Sequence, residues 1–244
     1  MLSTYKTLLT KKQQLNSSTY LYHFDLIEPK EIIFIPGQYV ILKVPSEKGP
    51  VSRLYSIASP NTKKNSFELI IEIIPGGLAS NYLFSLKENT EVVFQGPAGL
   101  FKLKENDRAK IFMVMGTGIA PIRSILNSEF RIQNSKLFLF WGLKNYKDVY
   151  LFKESINYGL RITNFEFKIC LSREQNLDMI PKEDQKYFEI GHVDTCFEKQ
   201  LTDYELRIKD YEFYLCGGRD IVESLKRFLL RKNIQKEDIV FEKF

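Results

Sequence analysis

Ile111-Phe112-Met113-Val114-Met115-Gly116-Thr117-Gly118-Ile119-Ala120-Pro121 decides the fold of the second half of this chain. Five consecutive apolar residues suit a strand buried on both faces, and the glycine pair ends it. Pro121 and the amphipathic stretch 122–128 then read as the start of a helix. A buried strand, a glycine turn and a helix open an α/β unit, and ligands of such sheets bind beyond the carboxyl ends of the strands. The loop is not the six-residue Gly-x-Gly-x-x-Gly fingerprint, because Pro121 stands where the third glycine would be.

The same grammar continues downstream. Leu137–Trp141, Phe165–Leu171, Glu212–Cys216 and Ile239–Phe241 read as further strands. Residues 148–157 read as a helix, and 194–198 as the start of another. Residues 220–232 read as an amphipathic helix with Ile221, Leu225, Phe228 and Leu229 on one stripe. Alternating strands and helices predict a parallel sheet covered on both faces over residues 104–244. Residues 1–103 read differently. Tyr20–Leu26, Tyr39–Val44, Val51–Ala58, Phe67–Ile74 and Glu91–Gln95 are strand-like and separated by Pro- and Gly-containing turns. They predict a small antiparallel β-barrel, interrupted by one short helix near 80–86. The polar run Lys104-Glu105-Asn106-Asp107 marks the expected junction.

Composition narrows the class. The chain has 244 residues, 44% hydrophobic and 27% charged, as soluble globular proteins do. Its net charge of +5 is spread along the chain, which suits an anionic cofactor, an acidic partner or merely a lysine-rich surface. No basic cluster with interleaved aromatics points to nucleic acid. No apolar run reaches the roughly 20 residues of a membrane span, and the first residues carry no signal-peptide pattern, so a cytoplasmic location is expected. Cys170, Cys196 and Cys216 are too few and too scattered for a four-cysteine cluster, and with only His23 and His192 besides, no metal site is expected. Redox chemistry would then rest on an organic cofactor.

Four segments carry residue types suited to such a cofactor. In Arg53-Leu54-Tyr55-Ser56, an Arg fork matches phosphate oxygens, while a Tyr ring and a Ser hydroxyl suit a flat heterocycle. An ordinary barrel strand with a solvated Arg would look the same. Gly76-Gly77-Leu78-Ala79-Ser80 offers a helix N-terminus with Ser80 as a plausible cap, which is an anion site or a simple turn. Cys216-Gly217-Gly218 ends a strand, where Cys216 is a small buried hydrophobe or a ligand neighbour. Ser172-Arg173 ends another, where the Arg holds a phosphate or solvent. At the extreme C-terminus, apolar Ile239, Val240 and Phe241 should hold Glu242 and Phe244 in the sheet.

In this order the segments resemble the ferredoxin–NADP reductase superfamily, from Pro36-Gly37-Gln38-Tyr39-Val40 to the terminal Glu242-Lys243-Phe244, and including the barrel exit Gly96–Phe101. The resemblance implies non-covalent FAD, with Arg53 and the helix start at Gly77, Leu78, Ala79 and Ser80 on its pyrophosphate. Leu54 would belong to the FAD site, Tyr55 would stack on the ring, Ser56 would sit near its reactive nitrogen, and the backbone of Ile70, Ile71 and Glu72 would line it. NADP(H), or NAD(H), would bind Gly116, Thr117, Gly118, Pro121, Ser172, Arg173, Cys216, Gly217 and Gly218, with Thr117 near both cofactors. Lys182, Lys186 and Tyr187 follow with residue types that could supply more charge and an aromatic for adenine, at a spacing that departs from the family's usual pattern. Ser56, Cys216, Glu242 and Phe244 would serve the hydride step, Phe244 as an aromatic cover that moves aside. Where plant-type members end in Tyr, this chain ends in Phe. The implied activity is hydride exchange between NADP(H) and flavin, with single electrons passed to a ferredoxin or flavodoxin. Alternatives are an NAD(P)H:flavin reductase, a reductase subunit of a larger complex, and a nucleotide sensor without turnover. A monomer or weak dimer is expected.

Overall fold

The computed structural model describes residues 2–128, 135–204 and 210–244, which form two compact units. The first comprises residues 2–103 and nearly all of a later helix, so the chain returns to this unit after the expected junction at 103/104. Its strands are β1 (Ser3–Gln14), β2 (Thr19–Glu28), β3 (Tyr39–Val44), β4 (Val51–Ser56), β5 (Ser66–Glu72) and β6 (Glu91–Ala98), all antiparallel, in the order β4-β3-β6-β1-β2-β5. The sheet curls until its two edges touch. Ile57 bridges Leu69, and the Ala58 amide donates to the Glu68 carbonyl at 2.8 Å. Strand β1 was not expected. Buried Tyr5, Thr7 and Leu9 alternate there with more exposed residues, but Lys and Thr on the outward positions dilute the apolar signal.

Aromatic rings fill the barrel. Phe94 meets Phe24 and Phe67 edge-on at 4.9 Å and 5.2 Å between centroids, and Tyr22 lies beside Phe24. Helix α1 (Leu78–Ser85) lowers Ala79 and Leu83 into the same core. The returning helix is α2 (Ile119–Asn127).

The second unit is a parallel sheet of β7 (Ala109–Met115), β8 (Leu137–Leu143), β9 (Phe165–Leu171), β10 (Phe188–Ile190), β11 (Tyr211–Gly217) and β12 (Ile239–Lys243). Helices α3 (Phe152–Arg161), α4 (Val193–Tyr204) and α5 (Arg219–Arg231) connect them. Two expectations shift. Residues 148–157 do not form one helix, because Asn145 and Asp148 cap each other across a short 3₁₀ turn at 146–148 and Leu151 turns left-handed before α3 begins. The stripe of α5 runs through Val222, Leu225, Phe228 and Leu229, while Ile221 is half exposed. That stripe and Phe197 of α4 pack on Ile111, Met113, Phe213 and Leu215.

Strand order is β10-β9-β8-β7-β11-β12. The chain moves outward from β7 to β10, then restarts at β11 on the other side of β7. The order therefore reverses between β7 and β11, where open α/β sheets form a ligand crevice at their carboxyl edge. At the opposite edge, Lys110 and Glu212 face each other in register, fully buried, with Nζ and Oε2 2.7 Å apart. Asn106 and Tyr214 donate to the same carboxylate, which satisfies the buried charge between these two strands. Among the described residues no helix is long and apolar enough to cross a membrane.

Candidate functional site

In the first unit, β4 is an edge strand and leaves Ser52, Arg53 and Leu54 exposed. The Arg53 guanidinium donates to the Ser52 carbonyl at 2.9 Å, which leaves most of its donor fork facing solvent. Tyr55 packs against the barrel core, and burial pushes its phenol up to about 12, so it is a neutral ring at ordinary pH. Ser56 is half-buried at the strand end. Strand β5 is the other edge. Ile70 and Ile71 bury their side chains, Glu72 is exposed, and beyond the Ile57–Leu69 bridge no strand of the described residues pairs with the outer edge.

Helix α1 starts differently from expectation. Its N-cap is Gly77, not Ser80, and no side chain caps it. Ser80 lies in the first turn, where its Oγ accepts the Ile74 amide at 2.9 Å and so closes the preceding turn. The first-turn amides of Leu78, Ala79 and Ser80 have no intrahelical acceptor by helix geometry. The other end is fastened by Lys12 Nζ on the Phe84 carbonyl at 2.5 Å and Tyr22 Oη on the Leu83 carbonyl at 3.2 Å. A fixed cation, an uncapped helix start, a neutral aromatic ring and a bare strand edge are the donors and surfaces that a flavin dinucleotide needs, so the residues fit FAD.

In the second unit, the loops after β7 and β11 meet at the switch point. A methyl group on Gly118 would overlap the Cys216 carbonyl and lie 3.2 Å from the Gly217 nitrogen, so only glycine fits between these strand ends. Gly116 has φ +51°, in the left-handed region, with open space on its Cβ side. Thr117 is half-buried between them, and buried Pro121 sits in the first turn of α2, where its missing N–H is not needed. Gly218 caps α5 without any side-chain bond and also faces open space. The donor chemistry of these loops fits a nicotinamide dinucleotide.

Cys216 pairs with Val114 on one side and Glu242 on the other, and has no exposed surface. Burial and the Glu242 charge push its thiol well up, so it is a packed neutral thiol and not a nucleophile. The last residue is tied down by backbone. The Phe244 amide donates to the Gly217 carbonyl, and the Arg219 amide to the Phe244 carbonyl, both at 3.2 Å. Its ring stays 57% exposed. At the end of β9, Ser172 donates to the Leu143 carbonyl and the Arg173 amide to that of Lys144, which leaves the Arg173 side chain exposed on the carboxyl edge.

A model of the oxidoreductase FAD-binding domain matches residues 6–103, and one of the oxidoreductase NAD-binding domain matches residues 112–227. The toluate 1,2-dioxygenase electron transfer component of Pseudomonas putida is 30% identical over 244 residues, covering 98% of this chain and 67% of that protein. The chain belongs to the ferredoxin–NADP reductase superfamily. Ferredoxin–NADP reductase B of Sorangium cellulosum is 31% identical over 153 residues, 62% of each chain. The crystal structure of an Amycolatopsis cytochrome P450 reductase has a TM-score of 0.85 at 25% identity, and covers all of this chain and 70% of that one. The chain thus spans about two thirds of the length of these relatives.

Within this superfamily architecture, an FAD-binding barrel and a NAD(P)-binding sheet, some site residues escaped the sequence reading. Arg123 of α2 donates to the Ala58 carbonyl at 2.9 Å and to Glu68 Oε2 at 2.6 Å, and Ser124 donates to the Ser59 carbonyl at 2.7 Å. The Glu68 amide in turn donates to Ser59 Oγ, and His23 meets Glu68 Oε1 at 3.3 Å. The stretch Ala58-Ser59, just beyond β4, is therefore clamped by α2. Only the polar residues of an otherwise apolar helix hinted at this. Tyr187 is committed elsewhere. Its ring stacks on Phe167 at 4.8 Å and 8°, with Lys186 Nζ over it, so one face is closed to adenine.

Proposed function

We propose that the chain catalyses electron transfer between a nicotinamide nucleotide, preferably NADP(H), and a protein carrier, by way of bound FAD. The carrying observation is the pairing of the Gly116–Gly118 loop with Cys216-Gly217-Gly218 at the switch point, in a chain that also holds an FAD-binding barrel. Bound FAD would supply the ability to accept two electrons as a hydride and release them singly. The chain's own residues do the rest. Arg53 and the first-turn amides of α1 neutralise the pyrophosphate. Tyr55 offers a rigid neutral ring, and Ser56 a hydroxyl beside it. Gly116 and Gly218 leave room for close approach of the nucleotide. Arg173 supplies the fixed charge that would read a 2′-phosphate. Phe244, with pinned backbone and an exposed ring, is an aromatic cover that can turn aside about its side-chain torsions.

The acceptor follows from the relatives' names. The toluate dioxygenase component points to an oxygenase partner and the Sorangium protein to a ferredoxin. We assign a small acidic iron–sulfur carrier, in keeping with the net charge of +5. The test is anaerobic stopped-flow reduction of the purified flavoprotein by NADPH and by NADH, followed by a screen of ferredoxins and flavodoxins. Rapid bleaching of the flavin band with at least one nucleotide is expected. No bleaching with either would overturn the proposal. Reduced flavin that passes electrons to free flavin but to no carrier would favour the flavin-reductase alternative.

A further inference from the structure

The carbonyl oxygen of Gly116 receives an unusual number of donors. The Trp141 indole N–H reaches it at 3.0 Å and the Tyr150 hydroxyl at 2.9 Å. The Ile119 amide, shared with the Thr117 carbonyl, also points to it as the 3₁₀ turn closes. Trp141 lies on β8 and is fully buried; Tyr150 lies just before α3 and is 5% exposed. Their rings meet edge-on, 4.8 Å apart at 86°, so each holds the other in place. A carbonyl has two lone pairs, and this one is saturated.

The consequence concerns the neighbouring donor. A trans peptide points its C=O and the following N–H in opposite directions. With the Gly116 oxygen held toward the two rings, the Thr117 amide points away from them. A flip of this peptide would present an oxygen where a donor stood, and would strand two buried donors. Gly116 is already in the left-handed region, where glycine moves freely, so the loop needs such a restraint.

We propose that Trp141 and Tyr150 are positioning residues that lock the Gly116–Thr117 peptide, so that the Thr117 amide and the open face of Gly116 are presented to the nicotinamide nucleotide. This rests on reading the loop as the nucleotide site. The geometry assigns them no contact with the ligand. Their effect passes through one carbonyl oxygen, so removing both should do little more than removing one.

The test uses the full chain with Tyr150→Phe, which removes only a hydroxyl, with Trp141→Phe, and with both. Calorimetric titration with NADP⁺ and NAD⁺ should show the dissociation constant rising about tenfold in Tyr150→Phe, the scale of one lost hydrogen bond. The double variant should fall well short of the product of the single effects. Hydrogen exchange at the Ile119 amide should quicken about tenfold. Exchange along β7 and β11, FAD content and the flavin spectrum should not change. Unchanged affinity and unchanged Ile119 exchange in both single variants overturn the proposal. So does exchange that quickens uniformly over the sheet, which would mark the pair as mere core. If the wild-type chain binds neither nucleotide, the function proposed above fails, and Ile119 exchange still decides whether the peptide is locked.

Discussion

Gly118→Ala is the sharpest test of the switch-point geometry. The new methyl would overlap the Cys216 carbonyl oxygen, lie 2.7 Å from its carbonyl carbon and 3.2 Å from the Gly217 nitrogen. Carbon atoms in ordinary contact stand about 3.5–4.0 Å apart, so the shortfall is about 1 Å. The obstructing atoms are backbone of β11, held by ladders to β7 and β12, and cannot rotate away as a side chain would. Overpacking of this kind costs about 1–3 kcal/mol, and an immovable neighbour argues for the upper end. With a urea slope near ~3 kcal/mol/M, the unfolding midpoint should fall by about 1 M. A loop displaced by about 1 Å should also weaken nucleotide binding by about 100-fold. Trp141 is the only tryptophan and lies in the same sheet, so its emission follows unfolding of this unit without interference from the other. Gly218→Ala is the control. It faces open space at φ −59°, so the midpoint should stay within about 0.3 M of wild type while nucleotide affinity falls. Wild-type stability and affinity in Gly118→Ala would refute the steric argument, as would equal destabilisation by Gly218→Ala.

Arg53→Ala should weaken FAD binding by about 10–100-fold, the scale of a lost charge-assisted contact, read as flavin lost on desalting; full retention would remove Arg53 from the pyrophosphate. Burial pushes the Glu68 carboxyl up, but the His23 hydrogen bond and the Arg123 charge outweigh it and hold it at about 2. A folded value below the unfolded one gives stability present above pH ~4.5 and lost as pH falls toward 2; about 2 kcal/mol of it goes between pH 5 and pH 3, a loss that Glu68→Gln should abolish in urea midpoints at those two values. Equal acid sensitivity in the variant would dismiss the clamp as its source. His23 runs the other way: raised chiefly by its bond to Glu68, it adds stability at low pH that fades as pH rises through its folded value. Arg173→Ala should raise KM for NADPH about tenfold more than for NADH, and equal effects would show that Arg173 does not read a 2′-phosphate. Phe244→Ala should tighten binding of both nucleotides, and unchanged affinity would argue against a movable cover.

The sequence made legible those features that backbone chemistry demands of a residue type. Glycines at 116, 118 and 217, an Arg on a strand, and a barrel-then-sheet order are local signals, and each has its place in the structure. What escaped depends on partners far along the chain. Ser80 has the composition of a helix cap, yet Ile74 claims its hydroxyl. One face of the Tyr187 ring is taken by Phe167 of β9. Strand β1 needed the barrel to reveal its inner face. The convergence of Trp141 and Tyr150 on one carbonyl leaves no trace in either residue's neighbours along the chain.

The return of α2 to the first unit has a consequence for the order of synthesis. As the chain leaves the ribosome, all six barrel strands emerge before residue 100, yet Glu68 still lacks Arg123 and the Ser59 carbonyl still lacks Ser124. Those contacts form only after β7 and the glycine loop of the other unit have also been made. A truncation at residue 103 would leave a buried carboxylate without its guanidinium, and a fragment cut to include α2 would carry the glycine loop with no sheet to receive it. The two units are therefore interleaved in birth order, and neither can be lifted out of this chain as a single uninterrupted piece.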